Sequence, residues 1–297
     1  IGRESKKIRS HKIKIKNIRA CSNIFSYLSK IFSTIKEQNS KYLIISISPF
    51  TFMACILIKL FKKKPIVYLR SDGYGEYKAI LGFFGPAIYH LMFSLVSKIS
   101  QLISCREYIL RKKIGKIVAP SQINSEWLEK PKEYEFNEPK LLYVGRIKKE
   151  KGIYSLLSLL KENKTNLTLS IVGAEKNSST LIKQSGVNIH EVENNEQNLI
   201  KFYDEHNIFI LPSYTEGHPM VLLEALSRLR PVIIFKDIEH VIGEKKGIFV
   251  ANRNLGSFLE QINYIKKNYQ TIQQDMKKNK LPTKEEFLLK FSSLISE

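Results

Sequence analysis

The sequence predicts an α/β protein made of two doubly wound, Rossmann-like domains that face a cleft. Three observations lead there. Short apolar runs rich in β-branched residues alternate with helix-periodic segments, the pattern of parallel strands covered by helices on both faces. That rhythm breaks at "PKEYEFNEPK" (131–140), which carries two prolines and many charges and reads as a linker, and then restarts. The 297 residues also exceed what one core of ordinary size accommodates. The expected division is 1–138, 139–275, and a C-terminal helix over 276–297 that crosses back to the first domain.

The elements follow in order. "HKIKIKNI" (11–18) alternates with period two and reads as a strand near an edge. "IFSYLSKIFSTI" (24–35) places Ile24, Leu28, Ile31 and Ile35 on one helix face. "YLIISI" is a short buried strand, 50–61 a helix, and "PIVYL" another strand. "RSDGYGEY" (70–77) reads as a loop, and the apolar region 79–105 as a buried helix, with contact at a membrane interface as the second reading; Pro86, His90 and Lys98 interrupt it before it reaches the ~20 apolar residues a membrane span needs. "KIVAPS" reads as strand then turn, with Ser121 as a candidate helix cap. After the linker come strands at 139–144, 167–173, 187–192, 208–213, 231–235 and 247–250, with helices at "GIYSLLSLLKEN", "EQNLIKFYDEH", "MVLLEALSRL" and "LGSFLEQINYIKKN".

Hydrophobic residues make up 43% of the chain, which excludes a disordered composition. The net charge is +20, and residues 1–138 hold most of it: 25 Lys/Arg against 10 Asp/Glu, a net of +15. Such a field attracts phosphates, acidic glycans, nucleic acid or an anionic membrane; a solvated surface from Lys-rich composition is the plainer alternative. Cys21, Cys55 and Cys105 show no metal or redox spacing and read as reduced core residues of a cytosolic protein.

Ligands of doubly wound sheets bind beyond the carboxyl ends of strands. The loop after Val144, "GRIKKEKG" (145–152), offers Gly145 for a close turn, Arg146 as a planar fork of donors, Lys151 as a mobile charge, and Gly152 leading into a helix N-terminus. Together they suit a diphosphate, although surface cations in a Lys-rich chain are the plain alternative. The second loop, "PSYTEGHP", places Glu216, Gly217, His218 and Pro219 ahead of a helix starting near Met220 and Val221. Glu224, one turn in, shares a face with Met220 and can accept hydrogen bonds from a sugar diol.

The combination "GR…EKG" at 145–152 with "PSYTEG" and "VLLEAL" at 212–226 resembles the retaining GT-B glycosyltransferases of the family-4 type, and Glu216 and Glu224 match their E-x7-E pair. The resemblance covers roughly 139–270 closely and the first half by rhythm. It implies sugar transfer from a UDP-, GDP- or ADP-linked donor to a glycan or lipid-linked acceptor in cell-surface polysaccharide or lipopolysaccharide synthesis, without a metal. The enzyme would be cytoplasmic or peripheral on the inner face of the membrane. It further implies that Arg146 and Lys151 hold the diphosphate and that Glu216 contacts the donor sugar. The backbone of 217–221 would meet phosphate and sugar, Glu224 the ribose, and the strand end near His190, Glu191 and Val192 would border the base. Gly173 would admit that base or ribose closely. Asp72 is a candidate contact for sugar or acceptor, with turn capping as its plainer role, and His218 reads as a backbone position with an incidental side chain. The family's opening strand and Gly-rich loop have no clear counterpart, so the chain is expected to lack its first strand. Leu229 stands where the family commonly has glycine. The alternative is a non-catalytic basic module for nucleic acid or membrane on the same scaffold. Nucleic acid is not the expected partner, because it leaves the acidic pair and the phosphate loop unexplained.

Overall fold

Strands that are apolar on both faces persist only under helices on each side, and the chain meets this condition twice. The computed structural model describes residues 2–3, 20–35, 40–132, 136–162, 167–174 and 185–296. The chain divides into two units, Ile1–Ala119 with Lys290–Glu297, and Pro120–Leu289.

In the first unit, β1 (Gly2–Arg3) and β2 (Ala20–Cys21) form a short parallel pair. Then come α1 (Ile24–Ile35), β3 (Leu43–Ile45), α2 (Pro49–Leu60), β4 (Ile66–Leu69), α3 (Gly73–Leu81), a 3-10 turn at Gly82–Phe84, α4 (Gly85–Ile99), β5 (Gln101–Ser104) and β6 (Lys116–Ile117). Strands β3 to β6 form a parallel sheet in that order. Ser48 caps α2 through a reciprocal box with Thr51. The last residues of the chain also belong here: the Phe291 ring lies 4.9 Å from that of Tyr68, and Gln101 donates to the Leu294 carbonyl.

The second unit runs α5 (Ser125–Leu128), β7 (Lys140–Val144), α6 (Ile153–Glu162), β8 (Thr168–Ala174), β9 (Val187–Glu191), α7 (Glu196–Glu205), β10 (Ile208–Leu211), α8 (Met220–Ser227), β11 (Val232–Phe235), β12 (Ile248–Ala251), α9 (Leu255–Met276) and the start of α10 (Lys284–Ser296), whose residues from Lys290 onward belong to the first unit. Its six parallel strands lie in the order β12-β11-β10-β7-β8-β9, the doubly wound arrangement in which the order reverses between β7 and β10. Strands β10 and β11 are buried along their full length, as central parallel strands must be.

Several expectations need correction. Residues 73–81 are a helix, not a loop. Asp72 caps it by accepting from the Tyr74 amide, and glycines let it pack against α4: a Cβ on Gly73 would sit 2.1 Å from the Tyr89 ring, and one on Gly85 of α4 would sit 2.0 Å from the Tyr77 carbonyl. The apolar region 79–105 is not one helix. Gly82 ends α3 at φ 64°, Pro86 opens the first turn of α4, and the chain turns extended at Ser100 to become β5, paired with β4. Ser121 does not cap a helix; its hydroxyl accepts from the Ile123 amide in a turn, and Asn124 caps α5. The expected strand at 11–18 lies outside the described residues.

The structure groups residues 120–138 with the second unit, and the reason is a pair of buried arginines. Arg228 binds Asp204 through Nε and Nη2 at 2.9 and 2.7 Å and donates to the carbonyls of Trp127, Glu129 and Lys130. Arg230 donates to the carbonyls of Tyr203 and Lys132. Asn207 fastens the far end of the segment at Glu138 and Lys140. Burying a guanidinium is costly unless its donors are satisfied, and here the preceding segment supplies the acceptors.

Between those arginines, Leu229 adopts φ 55° and is buried. The left-handed conformation costs a non-glycine about 1–2 kcal/mol. The buried leucine side chain contributes about 2–5 kcal/mol relative to its truncation, so packing wins. Leu229→Gly is therefore expected to lower stability by about 1–3 kcal/mol in urea denaturation. A variant more stable than the parent would show that backbone strain dominates at this position.

Candidate active site

Where strand order reverses, the connections leaving neighbouring strands run to opposite faces of the sheet, and a crevice opens between them. The loops after β7 and β10 frame such a crevice. It encloses about 270 Å³ and is lined by Gly145, Arg146, Lys151, Ser213, Glu216, His218, Pro219, Met220 and Val221, among others.

Glycines let these loops approach. Gly152 is left-handed at φ 68°, and a Cβ there would lie 1.8 Å from the Pro212 carbonyl. The Tyr214 amide then donates to the Glu150 carbonyl, joining the two loops. Gly173 has φ 120°, and a Cβ there would lie 2.4 Å from the Gly145 carbonyl. The close approach at Gly173 is thus made within the protein, by the backbone of the neighbouring loop. The Tyr143 hydroxyl donates to the Arg146 carbonyl and fixes that turn.

Glu216 is the centre of the side-chain geometry. Its Oε1 accepts from Lys151 Nζ at 2.7 Å and from the Ser213 hydroxyl at 2.6 Å, with the carboxylate largely buried. Arg146 is exposed at the same cavity. Pro219 precedes α8 without a side-chain cap, so the first amides of that helix carry positive potential toward the cavity side. The cavity therefore combines two cations, one carboxylate and a helix N-terminus, a net anion-accepting surface.

Glu224 is placed differently. It does not line the cavity; it is 5% exposed, and its Oε2 accepts from the Tyr203 hydroxyl at 2.8 Å. Burial pushes its carboxyl up to about 7, opposed by the Tyr203 hydrogen bond and assisted by Glu196. Glu196 in turn accepts from Trp127 and Asn124. The remaining sequence candidates are dispersed. Glu191 and Val192 are exposed at the end of the edge strand β9. Asp72 belongs to the first unit, where it pairs with Arg111 at 3.4 Å.

Three side chains that the sequence did not single out for this role hold the Glu216 loop. Arg253 donates to the carbonyls of Pro212 and Ser213, pairs with Asp237 at 2.7 Å, and stacks 4.0 Å from the Tyr214 ring centre. His240 Nε2 donates to the Glu216 carbonyl at 2.8 Å, and His218 Nε2 to the Pro120 carbonyl at 2.9 Å. His218 is thus a tether, not an incidental side chain. No local sequence pattern marks His240 or Arg253 for this role. Among the described residues no group of three or more His, Cys, Asp or Glu side chains gathers as a metal site.

The family description "Glycosyl transferases group 1" matches residues 125–281. The chain belongs to that family. Among curated relatives, a Bacillus subtilis protein named for teichuronic acid biosynthesis, the glycosyltransferase TuaC, is 34% identical over 123 residues, which is 41% of this chain and 31% of TuaC. The capsular polysaccharide biosynthesis glycosyltransferase CapM of Staphylococcus aureus is 27% identical over 131 residues, 40% of this chain and 34% of CapM. These matches thus span about a third of each relative's length. Among solved structures, Anabaena HepE in complex with UDP-glucose matches with a TM-score of 0.68 at 11% identity, over 91% of this chain and 81% of HepE. Sucrose-phosphate synthase from Thermosynechococcus elongatus matches at 0.66 and 15% identity, over 92% and 78%. At such identities these likenesses show the fold, which is GT-B.

Two predictions follow from the geometry of the site. Because the folded-state value of Glu224 lies above that of the unfolded chain, the native protein retains a proton that the unfolded chain has released. Its contribution therefore falls as pH rises from about 4.5 to 7 and is flat above, a change of about 3 kcal/mol. Denaturant titrations across this range should show that loss in the parent and not in Glu224→Gln; identical slopes would refute it. Arg253→Met should quicken amide exchange over residues 213–217 while costing about 1–3 kcal/mol of stability. Unchanged protection in that loop would mean that the arginine does not hold it.

Proposed function

We propose that the chain is a retaining glycosyltransferase that moves a sugar from a UDP-, GDP- or ADP-linked donor to a glycan or lipid-linked acceptor of cell-surface polysaccharide synthesis. The observation that carries this reading is the convergence of Arg146, Lys151 and Glu216 on one cavity at the strand reversal. The names of TuaC and CapM support the acceptor class, and the UDP-glucose in HepE supports the donor class.

In the proposed reaction the bond between the anomeric carbon and the distal phosphate oxygen breaks, and the diphosphate gains negative charge. Arg146 and Lys151 meet that charge where it develops, which lowers the barrier and not merely the donor's energy. The acceptor oxygen bonds to the same carbon on the face the diphosphate leaves, and its proton passes to the departing phosphate oxygen. Lys151 exchanges its ion pair with Glu216 for the phosphate, freeing the Glu216 carboxylate for sugar hydroxyls. The amides of 217–221 meet phosphate and sugar. The family pattern assigns Glu224 to the ribose, which requires Oε1 of its buried carboxyl to turn toward the cavity while Oε2 stays on Tyr203, and it assigns Glu191 and Val192 to the base.

The charge that favoured a purely basic binding module does not compete with this reading. Residues of the first unit carry 24 Lys/Arg against 6 Asp/Glu, a net of +18; the second unit, which holds the cavity, has a net of only +2.

A thermal-shift panel of UDP, GDP and ADP tests the proposal. One nucleotide, at ~100 times its dissociation constant, should add roughly 2.7 kcal/mol of stability. Lys151→Ala should weaken that nucleotide by about ten- to a hundredfold, the value of a charged hydrogen bond. Indifference to all three nucleotides would end the case.

A further inference from the structure

We propose that the α3–α4 hairpin of the first unit docks the protein onto an anionic membrane surface. The two helices run antiparallel and close, through the contacts at Gly73 and Gly85 already described. Tyr89 and Phe93 of α4 pack against Tyr74 and Tyr77 of α3, and Met92 and Val96 of α4 are buried too. The opposite side is apolar and open to solvent. At the tip, Phe83 is 90% exposed, Phe84 70% and Ile80 74%, and the stripe continues down α4 through Ile88, Leu91 and Leu95 at helical spacing. Single exposed apolar side chains are ordinary; a continuous run on one hairpin is not.

Shape and charge select the occupant. The tip is a convex turn carrying two phenylalanines, with their rings edge to face at 5.6 Å. A protein partner would need a matching pocket, whereas the headgroup boundary of a bilayer accepts any apolar protrusion. The charge around the hairpin complements anionic lipid. Between Lys41 and Ala119 the chain has 13 Lys/Arg against 3 Asp/Glu, a net of +10. The hairpin itself carries Lys78, Lys98 and the exposed Glu76, and the larger basic group, Lys59 and Lys62 to Lys64, lies at the end of α2, which packs on α4. Among the described residues no helix is long and apolar enough to cross a membrane, so this surface lies on the bilayer and does not span it. The inference rests on the proposed function only for its purpose, since a lipid-linked acceptor would be presented at such a surface.

The test is flotation of the full chain with vesicles of phosphatidylcholine alone and of phosphatidylcholine mixed with phosphatidylglycerol, with no nucleotide present. The parent should float with the mixed vesicles, bind the neutral ones far less, and detach as ionic strength rises. Phe83→Asp combined with Phe84→Asp should weaken binding by on the order of tenfold or more. Lys78→Glu with Lys98→Glu should weaken it on mixed vesicles only. Both pairs are exposed, so melting temperature and nucleotide-induced shifts should remain those of the parent, which separates failure of docking from failure of the catalytic reading. The proposal is overturned if the parent ignores anionic vesicles, if the phenylalanine pair can be replaced without loss of binding, or if that replacement only dissolves a dimer. Displacement of the vesicles by DNA with the phenylalanine variant unaffected would point to nucleic acid and also overturn it.

Discussion

The reversal of strand order between β7 and β10 is the constraint from which the second unit's chemistry follows. Two parallel neighbours that send their connections to opposite faces leave a gap at their carboxyl ends that no helix fills. Both loops must then turn tightly and pack on each other, which a small residue allows; Gly152 sits where a Cβ would strike the Pro212 carbonyl of the facing loop. With the loops in contact, Lys151 and Glu216 are brought to 2.7 Å although they come from separate connections. The ion pair is thus a product of topology. It keeps a carboxylate and an ammonium partly desolvated at the cavity.

Such a loop would be soft if held by its own turn alone. The structure supports it from outside, with Arg253 on the carbonyls of Pro212 and Ser213 and His240 on that of Glu216. Fixing the backbone matters because charge stabilisation is effective only when donors are already aimed at the site where charge develops. The buried Arg228 and Arg230 act one layer further back, binding the 127–132 backbone to α7 and α8. The acid in the middle of the apolar α8 is part of that packed layer: Glu224 meets Tyr203, and burial makes its proton easy to keep.

Much of this was legible in the sequence, for identifiable reasons. Strands such as Ile208–Leu211 and Val232–Phe235 announce themselves because a central parallel strand is apolar throughout. The cavity loops were legible because glycine, cations and acids concentrate where strands end. The first unit was harder. Gly73 and Gly75 argue against a helix by propensity, yet α3 forms because Gly73 admits the Tyr89 ring. Strand β5, four residues at the end of the long apolar run 79–105, is too short to show a period of its own. Ser121 and Asn124 are both good caps, and only tertiary packing decides between them. His240 reaches a carbonyl 24 residues away, a contact that local pattern cannot contain.

The most direct measurement of the central claim is a crystal structure of the chain with a nucleoside diphosphate bound. The account predicts phosphate oxygens within hydrogen-bonding distance of Arg146 and Lys151, beside the first amides of α8, with the Lys151–Glu216 pair parted. A diphosphate bound elsewhere, or bound here while Lys151 remains on Glu216, would contradict it.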